Sequence, residues 1–247
     1  MEPIPSLKIL KYIFYDQFNL KFKQKKCTNP EIQVKLTEHL SNYQVTLEPN
    51  QSLLETTYTV FDLETTGFYP RIGDEIVSIG AIKMNGNEII DQFYKVINPI
   101  NEVPEYIYSL TGLTKEQINK GITFQEAFLK LLQFSENTVL VAHPASFDVH
   151  FLQEMAKRWG ILNYTPTFID SFFIANYLQP KSNNKLDNLV SQFQIEQKRR
   201  HHALNDAKMT AEVFAELLFL LSKVGVHSIR DFTKIKSKKK GRLFISF

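Results

Sequence analysis

The chain predicts an α/β domain built on a mixed β-sheet, and three features of the sequence predict it. Three strand-like runs, at 58–62, 75–84 and 88–98, come first and are joined by short connections. Helical and strand-like runs then alternate to the end of the domain. The acid-bearing turns fall at strand ends or helix starts, where sheet-based sites form.

The 247 residues suffice for one large domain or one domain with an appendage. Twenty phenylalanines supply material for a substantial core. No apolar run reaches the roughly 18–20 residues that a membrane span needs. The opening Met1-Glu2-Pro3-Ile4-Pro5 lacks the basic-then-apolar pattern of a secretory signal, and the single Cys27 suits a reducing compartment. A cytoplasmic protein with no membrane partner is therefore expected. The net charge of +3 is small, so its distribution carries more information than its sum.

Residues 1–50 read as a basic, helical N-terminal extension. Leu7, Leu10, Phe14, Phe18 and Phe22 recur at helical spacing among lysines. Thr28-Asn29-Pro30 interrupts this pattern, and a second helix is expected over 31–42. Such a basic amphipathic segment either meets nucleic acid or a partner, or packs its apolar face on the main domain; the second arrangement is the commoner. Glu48-Pro49-Asn50-Gln51 reads as a linker to a main domain over 56–225, and 226–247 as a basic C-terminal tail, densest from Lys234 to Arg242.

Within the main domain, Asn85-Gly86 is a strong hairpin signal, so the first three strands form an antiparallel meander. Pro104 starts a short helix that Gly112 closes; Thr114 and Thr123 cap the two that follow. Residues 138–142 form an apolar strand of the kind buried between helices. A helix then runs to Trp159. A short strand follows at 168–170, then a helix capped by Ser171, another over 186–193, and a last long helix over 203–221.

Asp62 and Glu64 stand two apart at the end of the first strand, so they project to one face, with Phe61 and Leu63 on the other. Two carboxylates side by side repel, and a divalent cation is the usual resolution. Asp148 follows the buried strand and opens a helix, so it can face the same edge of the sheet. Asp206 lies in the last helix, preceded by two histidines. His202 is the better helical pair, at i, i+4, while His201 reaches the site only from the entering loop. Spacing alone leaves both open.

Asp62-x-Glu64-Thr65-Thr66-Gly67, His143-x-Ala145-x-Phe147-Asp148 and His201-x-Ala203-x-x-Asp206 together resemble the three motifs of the DEDDh 3′→5′ exonucleases. The nearest likeness is to the proofreading epsilon subunit of bacterial DNA polymerase III and the exonuclease segment of PolC-type polymerases. The resemblance covers about 58–221. It includes Asp74-Glu75-Ile76-Val77-Ser78-Ile79-Gly80-Ala81, Leu110-Thr111-Gly112-Leu113-Thr114 and Lys185-Leu186-Asp187-Asn188-Leu189. Pro144 departs from the family, which usually has Asn there.

The resemblance implies a ribonuclease-H-like fold: a five-stranded mixed sheet, its first three strands antiparallel, flanked by helices. It implies that Asp62, Glu64, Asp148 and Asp206 hold two ions, Mg²⁺ or Mn²⁺, and it selects His201 as general base. Thr65, Thr66, Gly67, Phe68, Thr111 and Phe147 are the expected contacts to the terminal nucleotide, the two phenylalanines by stacking. The expected reaction is hydrolysis at the 3′ end of single-stranded or frayed DNA, in proofreading or repair, with a polymerase or other replication or repair protein as partner. An exoribonuclease would use the same chemistry. A non-catalytic binding module would be expected to have lost a ligand, and all four acids are present. A phosphatase-type reading of the Asp62 motif finds no second nucleophile-side Asp and downstream Lys to support it.

Overall fold

The structure, a computed structural model, describes residues 29–238. The predicted helix bearing Leu7 to Phe22, Cys27 and the tail beyond Lys238 lie outside the described residues. The sheet has five strands: β1 Thr57–Thr65, β2 Ile76–Asn85, β3 Glu88–Val96, β4 Val139–Ala142 and β5 Phe168–Asp170. Their order is β3-β2-β1-β4-β5. β1 pairs antiparallel with β2 and β2 with β3, whereas β4 runs parallel to β1 and β5 to β4. The meander and the mixed sheet are as expected. Gly86 supplies the positive φ, 57°, that turns β2 into β3.

The helices, in chain order, are α1 Pro30–Asn42, α2 Glu105–Thr111, α3 Lys115–Asn119, α4 Phe124–Phe134 and α5 Ala145–Arg158. After β5 come α6 Ser171–Leu178, α7 Leu186–Gln192, α8 Ala203–Lys223 and α9 Ile229–Lys238. The starts follow local chemistry. Asn29 Oδ1 accepts from Glu31 N at 3.0 Å, Thr114 and Gln117 form a reciprocal capping box, and Thr123 accepts from Glu126 N at 3.3 Å. Gly112, at φ 73°, ends α2.

One expected cap is corrected. Ser171 is the first residue of α6 and Asp170 is its cap, accepting from Phe172 N at 3.0 Å and Phe173 N at 3.3 Å through Oδ1. The Ser171 hydroxyl instead donates to Ala142 O at 2.8 Å, tying the helix start to the end of β4. The last carboxylate of a short strand outcompetes the following serine because it reaches two amides with one charged oxygen.

Strand alternation divides the core into two layers. Phe61, Leu63, Ile79, Ala81, Leu140 and Ala142 face α4 and α5. Leu36 of α1, 1% exposed, joins that layer, and Tyr43 Oη lies 2.9 Å from Ser135 Oγ at the end of α4. Tyr58, Val60, Ile82, Met84, Val139 and Val141 face α6, α7 and α8. Ile229 and Phe232 of α9 are buried in this second layer.

Asp62 and Glu64 therefore point toward α8. Opposite Asp62 in the register stands Gly80 of β2. A Cβ on Gly80 would lie 2.2 Å from Ala203 C and Leu204 N, so the first turn of α8 rests directly on the strand backbone. Gly80→Ala is expected to destabilise the protein by about 1–3 kcal/mol, as overpacking against backbone does. A chemical-denaturation midpoint equal to wild type would refute that close seat.

Candidate active site

Asp62 and Glu64 occupy alternate positions near the end of β1, and a bulge between Glu64 and Thr65 turns the strand away immediately afterward. Asp148 enters from the other layer. It lies in the first turn of α5, is 4% exposed, and receives the backbone N–H groups of Leu63 and of its own residue. Asp206 descends from the first turn of α8 and is 3% exposed. Two strand residues and two helix starts from opposite layers thus bring four carboxylates to one end of the sheet.

The two histidines part in space. His201 adopts φ 59°, a left-handed conformation that costs a non-glycine residue of order 1 kcal/mol or more. Its backbone N–H donates to Asp206 Oδ2 at 3.0 Å and holds it there. Its ring stays exposed, and ligand atoms of Glu64, His201 and Asp206 all lie within 4.8 Å of one another. His202 turns the other way. It takes the cap position of α8 and stacks on Tyr94 of β3, with centroids 4.7 Å apart and planes at 20°.

The electrostatics are those of crowded anions. Burial, then Asp148, Asp206 and Glu64, raises the Asp62 carboxyl well above its ordinary range, against the pull of Arg200. Burial and Asp206 push Glu64 up to about 8, again against Arg200. Burial and Glu64 raise Asp148 well above its usual value, and burial raises Asp206 against Arg200. Arg200 Nη1 sits 2.5 Å from Asp206 Oδ1 while its Nε donates to Asp187 Oδ1 at 2.5 Å. One guanidinium cannot neutralise four acids. The donor set is hard oxygen at high negative charge density, and it fits divalent cations.

A cleft of about 220 Å³ opens over these groups. Asp62, Glu64, Arg200, His201 and Asp206 form its reacting end; Thr65, Gly67, Phe68, Tyr106, Leu110 and Phe147 form its walls. Phe68 is 75% exposed and meets Phe147 edge-on at 6.0 Å, so both keep ring area for a ligand. Thr65 Oγ1 donates to the Gly67 carbonyl at 2.7 Å and shapes the turn. Gly67 is needed because a Cβ there would come within 2.3 Å of the Asp74 carboxylate.

Two expected nucleotide contacts are corrected. Thr66 is buried, its hydroxyl accepting from Glu75 N at 2.9 Å. Thr111 is 1% exposed, its hydroxyl donating to Ile107 O at 2.8 Å and accepting from Leu113 N at 3.2 Å. Both hydroxyls serve the backbone, and neither residue lines the cleft. Tyr106 and Leu110, missed from the sequence, line the cleft from α2 where Thr111 does not. Their i, i+4 spacing on α2 puts them on one face, and Tyr106 Oη donates to Thr66 O at 3.2 Å.

Pro144 caps α5 without a side-chain hydrogen bond. Asp170 supplies what is missing: its Oδ2 accepts from Ser146 N at 3.3 Å while its Oδ1 caps α6. One carboxylate at the end of β5 thus fixes two helix starts, including the one that carries Asp148. His143 is tied to Ser171 Oγ at 2.9 Å and Asn184 O at 2.8 Å, and it is not among the residues lining the cleft.

The RNase T model, described as an exonuclease, matches residues 59–214. The chain is 36% identical over 187 residues to a PolC-type DNA polymerase III of Caldanaerobacter subterraneus subsp. tengcongensis, covering 75% of this chain. It is 32% identical over 190 residues to that of Thermotoga maritima, covering 77%. The chain spans only 13% and 14% of the length of those two relatives. Among solved structures, the nuclease domain of 3′hExo, a DEDDh family member bound to rAMP, superposes with a TM-score of 0.60 at 22% identity. That match covers 68% of this chain and 94% of the other. Exonuclease X in complex with 5′-overhanging duplex DNA gives 0.55 at 19% identity, covering 68% and 93%. These two similarities support the shared fold. No described helix is long and apolar enough to cross a membrane.

Proposed function

The chain belongs to the RNase T exonuclease family, and from that premise we propose that it removes nucleotides from the 3′ end of single-stranded or frayed DNA, releasing nucleoside 5′-monophosphates. The observation that carries this reading is the convergence of Asp62, Glu64, Asp148 and Asp206, with Asp62, Glu64 and Asp206 lining one end of an aromatic-walled cleft and His201 beside them. Asp62, Glu64, Asp148 and Asp206 would hold two divalent ions, Mg²⁺ or Mn²⁺. When bound, such ions lower the pKa of a water and offset charge on the attacking and leaving oxygens of the phosphodiester.

The chain's own residues do the rest. His201, exposed and held by its backbone N–H to Asp206, accepts the proton of the attacking water on an imidazole nitrogen. Arg200 anchors Asp206 against displacement as charge at the site changes. Phe68, Phe147 and Tyr106 offer ring surface to the terminal base, worth roughly 1–3 kcal/mol for each stacked base. Gly67 allows the turn after β1 to lie close to Asp74, keeping the walls of the cleft in register with its acids.

DNA is preferred to RNA as substrate because the relatives that match most of this chain are PolC-type DNA polymerases. The same comparison supports delivery of the activity to a polymerase or other replication or repair protein, in the cytoplasm. We assign the exonuclease unit to 56–225, onto which Leu36 of α1 and Ile229 and Phe232 of α9 pack, with 1–50 and 226–247 as candidates for contacts beyond the active site.

The test is nucleotide release from a 5′-labelled oligonucleotide in Mg²⁺ or Mn²⁺, with matched DNA and RNA strands in competition and EDTA as control. A ladder shortening from the 3′ end supports the reading; internal cleavage or EDTA-resistant activity defeats it. His201→Ala is expected to lower kcat by about 10²–10⁴-fold, the usual contribution of a general base. His202→Ala should retain most activity. The reverse ranking of the two variants would reassign the base.

A further inference from the structure

We propose that Arg199 holds a backbone phosphate of the substrate strand at the rim of the cleft. This rests on the nuclease reading above and extends it to a residue outside the family motifs.

Three consecutive cations enter the last helix, and their partners differ. Lys198 Nζ pairs with Glu196 Oε2 at 2.9 Å. Arg200 is divided between Asp187 and Asp206. Arg199 is exposed and, among the described residues, pairs with no carboxylate. Its guanidinium lies against Gly112. A Cβ on Gly112 would lie 2.1 Å from Arg199 Nη2, 2.3 Å from Cζ and 2.4 Å from Nη1. The whole fork therefore packs against the bare face of that glycine. Asn205 Nδ2 donates to the Arg199 carbonyl at 3.0 Å and fixes the backbone below.

Gly112 follows Leu110 of the cleft wall by two residues, and Arg199 precedes His201 of the reacting end by two. The guanidinium thus bridges two segments that each line the cleft. It is a planar cation, without a carboxylate partner among the described residues, beside a site for a phosphodiester chain, and guanidinium geometry matches phosphate oxygens. Gly112 serves two ends here: its positive φ closes α2, and its missing side chain makes room for the fork.

The experiment is binding of a fluorescent single-stranded oligothymidylate to the full-length chain, with Ca²⁺ replacing Mg²⁺, across a salt series. Arg199→Gln is expected to weaken binding and to reduce the slope of log K against log salt by about 0.7, the loss of one phosphate contact on a single strand. Arg199→Lys should keep the slope, since the charge remains. A slope for Arg199→Gln equal to that of wild type overturns the proposal, even where wild type releases nucleotides in Mg²⁺. A wild-type chain that binds with the expected dependence on Arg199 but never cuts would uphold this contact and overturn the nuclease reading. A wild-type chain that neither binds nor cuts overturns both.

Discussion

Asp62→Asn is expected to abolish nucleotide release, by on the order of 10³-fold, the upper end of what removing one preorganised electrostatic group costs. The same substitution is expected to make the metal-free protein more stable. Both outcomes come from one cause. Asp62 is the acid on which the other three act together, burial adding to the charges of Asp148, Asp206 and Glu64. Asn keeps the shape and removes one charge from that crowd. It also removes an oxygen anion that a divalent ion would need. The paired readout is activity in Mn²⁺ and thermal unfolding in EDTA. A variant that cuts within tenfold of wild type, or that melts lower in EDTA, contradicts this account.

The sign of the pH dependence follows from Glu64. Its ordinary value is 4.5 and the folded protein raises it to about 8. The folded state therefore binds this proton more tightly than the unfolded state. The stability so gained is complete below about pH 4.5 and disappears as pH rises through about 8. Metal-free protein should melt higher at pH 5 than at pH 8, and Mn²⁺ should erase or reverse the difference. Calorimetry in EDTA and in Mn²⁺ at both pH values measures it.

Arg158→Ala should be the most damaging single change remote from the acids, at about 3–5 kcal/mol, the cost of leaving a buried partner charge uncompensated. For a domain of this size that corresponds to a fall in Tm of roughly 6–20 °C. Arg158 Nη2 lies 3.1 Å from Glu75 Oε1, with side chains only 8% and 2% exposed. Nη1 donates to Asp74 O at 2.9 Å and Pro70 O at 3.3 Å. The other Glu75 oxygen accepts from Ile100 N at 2.8 Å and Asn101 N at 2.7 Å. The end of α5 is thereby fastened to the turn after β1 and to the loop after β3. Replacing both partners, as Arg158→Met with Glu75→Gln, should cost less than Arg158→Ala alone, because no buried charge is then stranded and the amide oxygen still accepts from Ile100 N and Asn101 N. A milder single variant than double variant would show that the pair stabilises by attraction and not by mutual neutralisation.

The fold class, the antiparallel meander of the first three strands and most helix starts were legible because they depend on local chemistry. Asn85-Gly86, Thr114 with Gln117, and Thr123 each act on amides a few residues away. The four acids were legible because their motifs lie at strand ends and helix starts. Contacts across long stretches of chain were not. The separate placements of His201 and His202 needed Tyr94, whose ring receives His202. Thr66 and Thr111 resemble ligand hydroxyls until Glu75, Ile107 and Leu113 are seen to use them. Ser171 obeys the rule for a cap, yet Asp170 reaches more amides. Glu75 lies within a stretch that resembles the family, but its salt bridge to Arg158 has no local signature.

The seat of α8 on Gly80 also decides when the acid cluster comes together. Asp62 and Glu64 come first in chain order, then Asp148, then His201 and Asp206. His201 and Asp206 reach the sheet only when α8 docks, a contact of long sequence separation and hence slow to form. The strand acids alone are therefore not the cluster, and its assembly coincides with the closing of the second layer.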